Sequence, residues 1–400
     1  MTMKKALLCL PIIATVVFCT LNVAVASTGN YSATATFYNN ARHTCGHIPI
    51  ATDNTSNGIS SWNYVTEGNL ASSAVPNGIV YVGSKDHNVY ALNADTGTKM
   101  WNYTTGGMVT SSPTVANGIV YVGSEDHNVY TINANTGKLV WSYATGNVVH
   151  SSPTVANGVV YVGSRDGNVY ALNANTGMKV WSYATGDLVY SSPTVANGIV
   201  YIGSYDYNVY ALNADTGTKV WNYTTGGMVT SSPTVANGVV YVGSLDHNVY
   251  ALNARTGAKI WNYKTGGFVI SSPTVANGIV YVGSDDHNIY AFNANTGKLM
   301  WNYTTKSDVW SSPAVANGIV YVGSDDHNVY ALSASTGTKI WSYTTGGPVD
   351  SSSTITNGIV YTGSGDHNVY ALSASTGTKV WSYTTGDMVA SSPAVTNGIG

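Results

Sequence analysis

The sequence predicts an all-β fold, an eight-bladed β-propeller of four-stranded antiparallel blades. Three observations lead there. One forty-residue sentence is written eight times in strict register from about Ala71 to Ala390, in copies starting near 71, 111, 151, 191, 231, 271, 311 and 351. A period of this length marks a solenoid or a propeller, because each unit buries its apolar faces only against neighbouring copies. Each copy holds four short runs of strand character with a Trp in the last, as a propeller blade does. No window shows a 3.6-residue period, and Gly or Pro interrupts every ten residues or so, which excludes helical repeats.

Within the copy at 111–150 the first run is Ser111 to Ala116, followed by Asn117-Gly118. Both of these residues tolerate the positive φ of a type I′ turn, so a tight hairpin is expected. The second run, Ile119 to Ser124, is rich in Val, Ile and Tyr. Asp126-His127-Asn128 then turns the chain, since Asp, Asn and His are enriched at positive φ. The third run is Asn128 to Asn133, and the loop after it, Ala134-Asn135-Thr136-Gly137, carries a Gly suited to a left-handed position. The fourth run, Leu139 to Ala144, sets Trp141 and Tyr143 on one face and Val140 and Ser142 on the other. Four such runs with short loops make one up-and-down meander.

The stretch Ala91-Leu92-Asn93-Ala94-Asp95-Thr96-Gly97-Thr98-Lys99-Met100-Trp101 resembles the tryptophan-docking motif of quinoprotein-type propellers. Gly-Ile-Val-Tyr-Val-Gly-Ser at 118–124 is typical of the same repeats. Both recur in all eight copies with small substitutions, so the resemblance to the PQQ-like (quinoprotein-type, BamB-like) propeller family covers about 320 residues. It implies the fold. For function it implies a range: quinone-dependent dehydrogenases, a lipoprotein of the outer-membrane barrel-assembly machinery, and non-catalytic surface proteins. The dehydrogenase features are missing from this sequence. There is no adjacent cysteine pair to sit on a quinone, no Cys-x-x-Cys-His for haem, and no insertion to supply calcium or quinone ligands, every repeat being the same length. No cofactor is therefore expected, and pyrroloquinoline quinone enters by resemblance only.

Residues 1–26 read as a secretory signal, with Lys4 and Lys5 as the basic start, Ala6 to Leu21 mostly apolar, and Ala24-Val25-Ala26 as the cleavage site. No second apolar stretch has membrane length, so the mature chain is expected to be secreted or displayed at the cell surface, without a transmembrane span. Residues 27–58 form a non-repeating leader, expected to run over the outside of the ring, and 59–400 form the propeller. Residues 59–66, with Trp62, read as a fourth strand lacking its first three, and the partial copy starting at 391 as a first strand lacking the rest. The two extras are expected side by side at the seam, as a closure or a rudimentary ninth blade.

Only 9% of residues are charged, and removal of Lys4 and Lys5 from 16 basic residues against 19 acidic ones makes the mature surface slightly acidic. With no basic cluster, nucleic acid is excluded as a partner. Cys9 and Cys19 lie in the signal, which leaves Cys45 alone and an internal disulfide impossible; a free thiol in a monomeric protein is expected. His43, Cys45 and His47 have no partner motif and are read as a polar leader rather than a metal site.

The series Trp101, Trp141, Trp181, Trp221, Trp261, Trp301, Trp341 and Trp381 cannot all touch one ligand and is read as packing between blades. The His of the second turn, at 87, 127, 247, 287, 327 and 367, gives way to Gly167 and Tyr207, as a turn residue can and a metal ligand cannot. No nucleophile elbow or close carboxylate pair is specified, although Asp308 and Asp350 on adjacent copies could face each other.

What varies between copies points to a surface. The residue before the turn Asp runs Lys85, Glu125, Arg165, Tyr205, Leu245, Asp285, Asp325, Gly365. The residue before Ser-Ser runs Thr110, His150, Tyr190, Thr230, Ile270, Trp310, Asp350, Ala390, and the site two earlier includes Met108, Leu188, Phe268 and Asp308. In a meander both loops leave from one face, and rigid scaffolds present function on loops. The expected site is that face: Met108, Thr110, His150, Leu188, Tyr190, Phe268, Ile270, Asp308, Trp310, Asp350, Arg165 and Tyr205, with Tyr190, Phe268 and Trp310 as an aromatic cluster near the centre. The expected protein is a non-catalytic scaffold for a protein or glycan ligand. A barrel-assembly-like scaffold and a quinone-dependent oxidoreductase are the alternatives.

Overall fold

In the computed structural model the described residues are 78–396, together with the backbone of Phe37–Tyr38 and Gly46–His47. Residues 1–36, 39–45, 48–77 and 397–400 lie outside them, and with them the expected signal and the segment 59–66. Eight four-stranded antiparallel sheets follow one another, each a meander. In blade two the strands are Thr114–Ala116, Ile119–Gly123, Asn128–Asn133 and Leu139–Ala144. Blades three to eight repeat them every forty residues, ending with Thr354–Thr356, Ile359–Gly363, Asn368–Ser373 and Lys379–Thr384.

The turns obey the expected chemistry. Asn117 and Gly118 have φ of 50° and 72°, the two positive values that a type I′ hairpin requires. The second turn needs one left-handed residue, supplied by His127 at φ 75°, by Gly167 at 83° and by Tyr207 at 73°. The third and fourth strands run as expected, but the first is shorter, starting at Thr114 rather than Ser111. Pro113 has no N–H for a ladder, and the Ser112 N–H points sideways, donating to Ser152 Oγ of the next blade at 2.9 Å. The same bond links Ser152 to Ser192, and so on through Ser352 to Ser392, at 2.8–2.9 Å. Ser392 N donates to Ser112 Oγ at 2.9 Å and makes the belt endless.

The core lies between blades rather than within them. One cluster joins Tyr241, Val249 and Trp261 of blade five to Val275, Val280, Val282 and Phe292 of blade six. Trp221 is 8% exposed; its Nε1 donates to the Ala254 carbonyl of the next blade at 2.9 Å. A Cβ on Gly257 of that blade would stand 2.8 Å from the indole, so only glycine lets the ring lie flat there. The same docking runs round the ring to Trp381, which packs on Gly97 and bonds the Ala94 carbonyl of blade one at 2.8 Å.

Blade one decides between the two expectations for the C-terminal copy, closure and a ninth blade; the expected pairing with 59–66 lies outside the described residues. Its second, third and fourth strands are Ile79–Gly83, Asn88–Asn93 and Lys99–Thr104, and its first strand is Ala394–Thr396, in register Ile79 with Thr396 and Tyr81 with Ala394. The C-terminal copy is thus not the start of a ninth blade; it completes the first one from the far end of the chain. Sequence explains why it suits that place better than the adjacent segment 71–76. Ser391 Oγ accepts from Gly83 N at 2.7 Å and donates to Gly83 O at 2.9 Å, whereas the matching residue near the N-terminus is Ala71. Thr396 is matched by Pro76, which brings no N–H to a ladder. In the leader, Phe37–Tyr38 pairs with Gly46–His47 and lies beside the inner strand Thr234–Ala236, so this piece is on the axial side of blade five, not over the outside.

Candidate functional site: the variable loop face

The two sets of variable loops are tied together by the backbone. The residue before each turn Asp donates its N–H to the loop that enters its blade: Glu125 to Met108 O, Arg165 to Val148 O and Tyr205 to Leu188 O at 2.9 Å, Asp285 to Phe268 O and Asp325 to Asp308 O at 3.0 Å. The turn Asp clamps the same loop. Asp126 Oδ2 accepts from Gly106 N at 2.6 Å and from the Tyr130 hydroxyl at 2.7 Å, while Oδ1 takes Asn128 N at 3.0 Å. All eight turn Asp residues make this clasp, Asp86 reaching Gly386 across the seam. Burial works to raise these carboxyls, but the hydrogen bonds from Tyr, Asn and Gly outweigh it and hold Asp126 and its copies below the usual carboxylate range. The Tyr partners go the other way: burial, then the bond to Asp, pushes Tyr130 well above an ordinary phenol.

The residues before Ser-Ser stand where the loops meet the inner strands, round the mouth of the axis. Between blades two and four they form one connected group. Thr110 Oγ1 and His150 Nδ1 are 2.8 Å apart, with Glu125 Oε1 3.8 Å from the same nitrogen. The His150 ring stacks on Tyr190 at 5.0 Å and 10°, and Tyr190 stacks on Tyr205 at 4.7 Å and 16°. The Arg165 guanidinium lies 5.2 Å from the Tyr190 ring centre. On the other side the face is acidic. Trp310 Nε1 donates to Asp285 Oδ1 at 2.8 Å, and Asp308 pairs with His287 Nδ1 at 2.9 Å.

Several expected site residues change place. Tyr190, Phe268 and Trp310 do not form one aromatic cluster: Tyr190 belongs to the stack, Trp310 bonds Asp285, and Phe268 meets His247 edge-on at 5.0 Å. Thr110 and Ile270 are buried, whereas Met108 and Phe268 are exposed and Leu188, His150 and Tyr190 half-buried. Asp308 is engaged by His287 rather than facing Asp350, whose Oδ1 is buried without a hydrogen-bond partner. The eight-membered serine belt went unremarked in the sequence, although the second Ser of every Ser-Ser pair is invariant between copies.

Among the described residues no three His, Cys, Asp or Glu side chains gather to hold a metal ion, and the sequence has no cysteine between 78 and 396.

Fold and face together define the class: an eight-bladed propeller of PQQ-like repeats with one variable loop surface. The chain belongs to the family described as outer membrane protein assembly factor BamB, whose family model matches residues 51–149, 145–265, 224–310 and 305–399. No curated protein sequence matches it. Among solved structures, BamB from Moraxella catarrhalis is 21% identical with a TM-score of 0.62, over 74% of this chain and 91% of that one. The computationally designed Ika8 protein is 19% identical with a TM-score of 0.65, over 72% and 92%. The quinohemoprotein alcohol dehydrogenase from Comamonas testosteroni is 18% identical with a TM-score of 0.62, over 71% and 68%. These likenesses are of fold.

Proposed function

We propose that the protein is a non-catalytic scaffold outside the cytoplasm that binds a protein or glycan partner through its variable loop face. One observation supports this most. The blades share one backbone, one tryptophan dock and one aspartate clasp, while the loops bonded to each other on a single face carry Arg, Glu, Asp, Tyr, Trp, Phe and Met in turn. Packing alone would repeat there too, as it does everywhere else in the blade. The BamB family supports a protein partner as one form of this reading. The signal-like residues 1–26 support an extracytoplasmic site, and no helix among the described residues is long and apolar enough to cross a membrane.

The test is the triple variant Tyr190→Ala, Phe268→Ala, Trp310→Ala, compared with wild type on arrays of envelope proteins and of glycans. The reading expects ligand binding by wild type that falls at least tenfold in the variant at an unchanged melting midpoint. Equal binding by both proteins would contradict it. For the oxidoreductase alternative, incubation with pyrroloquinoline quinone and calcium followed by gel filtration gives the answer, since a retained chromophore would replace the scaffold reading.

A further inference from the structure

Arg165 is an anomaly in its own molecule. Among the described residues no carboxylate pairs with any Lys or Arg, and the Nε of Arg165 is buried without a hydrogen-bond partner. A half-buried guanidinium normally has its donors engaged, because an unpaired charge away from water is costly. Here the group is instead positioned: its backbone is fixed by Val148 O, and its head lies against Tyr190, which is itself held between His150 and Tyr205. A planar fork fixed in this way matches a carboxylate, which it can take through two parallel bonds.

The surroundings narrow the class of ligand. Glu125, whose carboxylate can accept from hydroxyl groups, lies on the near side of the same stack, with Oε1 3.8 Å from His150 Nδ1. Asp308 and Asp350, on the loops before blades seven and eight, lie on the far side of the face and disfavour a polyanion or an acidic polypeptide laid across it. A ligand with one carboxylate and several hydroxyls satisfies both halves. We propose that Arg165, Tyr190, His150, Tyr205 and Glu125 form a subsite for a carboxylated sugar, a uronic acid at the end of a glycan, with Arg165 binding the carboxylate. This rests on the reading of the loop face as a binding surface and names its ligand class.

Calorimetric titration of the full chain tests it with three probes: a glucuronic-acid-terminated disaccharide, the neutral glucose-terminated counterpart, and a short acidic peptide. The acidic disaccharide should bind and the other two should not. Arg165→Gln should weaken binding at least tenfold; Arg165→Lys, which keeps the charge without the fork, should weaken it less; Lys85→Gln at the equivalent turn should leave it unchanged. The position accepts Lys85, Glu125 and Gly365 in other blades, so these variants should fold, and a melting curve checks that they do. Equal affinity for the two disaccharides, binding of the peptide alone, binding untouched in Arg165→Gln, or no binding of any probe would each overturn the proposal. Any of these results would still leave the triple-alanine experiment to judge the face as a whole.

Discussion

At the scale of single residues, two contacts carry the ring. The first is the tryptophan dock. Trp221 is buried against Gly257 and bonded to the Ala254 carbonyl. Trp221→Ala is therefore expected to destabilise the protein by roughly 3–5 kcal/mol, the cost of emptying an aromatic core site. Trp310→Ala, at the loop face, should leave urea unfolding nearly unchanged. Equal midpoints for both would remove the docking account. The second contact is the aspartate clasp, and it sets a pH dependence. The carboxyls of Asp126, Asp206, Asp246 and their copies are depressed in the folded state. Their contribution is full above the unfolded carboxyl pKa, near ~3.9, and is lost as pH falls through the lower folded value. The melting midpoint should hold down to about pH 4 and drop steeply below it as the eight clasps protonate together. Asp206→Asn should lower the midpoint at neutral pH and flatten the acid limb slightly; a midpoint that ignores acid would refute the clasp.

At the scale of the element, the turn determines which substitutions a blade accepts. Tyr207 occupies with φ 73° the place that Gly167 holds at 83°. Tyr207→Gly removes left-handed strain but adds unfolded-state entropy, so stability should change by no more than about 0.5 kcal/mol. Gly257→Ala, at a similar φ of 72°, meets the Trp221 ring at 2.8 Å and should cost on the order of 2 kcal/mol or more. A small effect of Gly257→Ala on the denaturation curve would mean that the indole is free to move. These elements were legible in the sequence because a type I′ dipeptide, an Asx turn and an alternating strand are local signals. The first strand was only partly so. Ser111 and Ser112 look like strand residues, but Ser112 bonds to the neighbouring blade instead of up its own ladder, a partner forty residues away that no local pattern names. The loop face was legible as a face, since repeat variation and meander geometry suffice. The grouping on it was not: whether Tyr190 meets Trp310 or stacks on His150 depends on which loops touch across the mouth.

At the scale of the whole molecule, the decisive feature is closure. A ring of sheets must join its last blade to its first, and an unsealed blade exposes a strand edge. Here the seam carries every contact found elsewhere: Trp381 docks on Gly97, Asp86 clasps Gly386, and Ser392 bonds Ser112. The sequence shows two candidate first strands for blade one, 71–76 and 391–396, which differ at three positions: Ala71 lacks the hydroxyl of Ser391, Ser73 stands in place of Pro393, and Pro76 lacks the N–H of Thr396. Removing 391–400 should then open the ring, lower the melting midpoint and promote association between molecules, more than removing 27–68 does. The most direct measurement is a crosslink across the seam. Val80 and Val395 stand opposite each other in the ladder, and opposed residues in antiparallel strands are about 4.5–5.5 Å apart at Cα, within reach of a disulfide. In a Cys45→Ser background, Val80→Cys with Val395→Cys should oxidise spontaneously within one chain, join two ends more than 300 residues apart, and raise the melting midpoint. A pair of cysteines that stays reduced, or that links only different molecules, would show that another segment fills blade one.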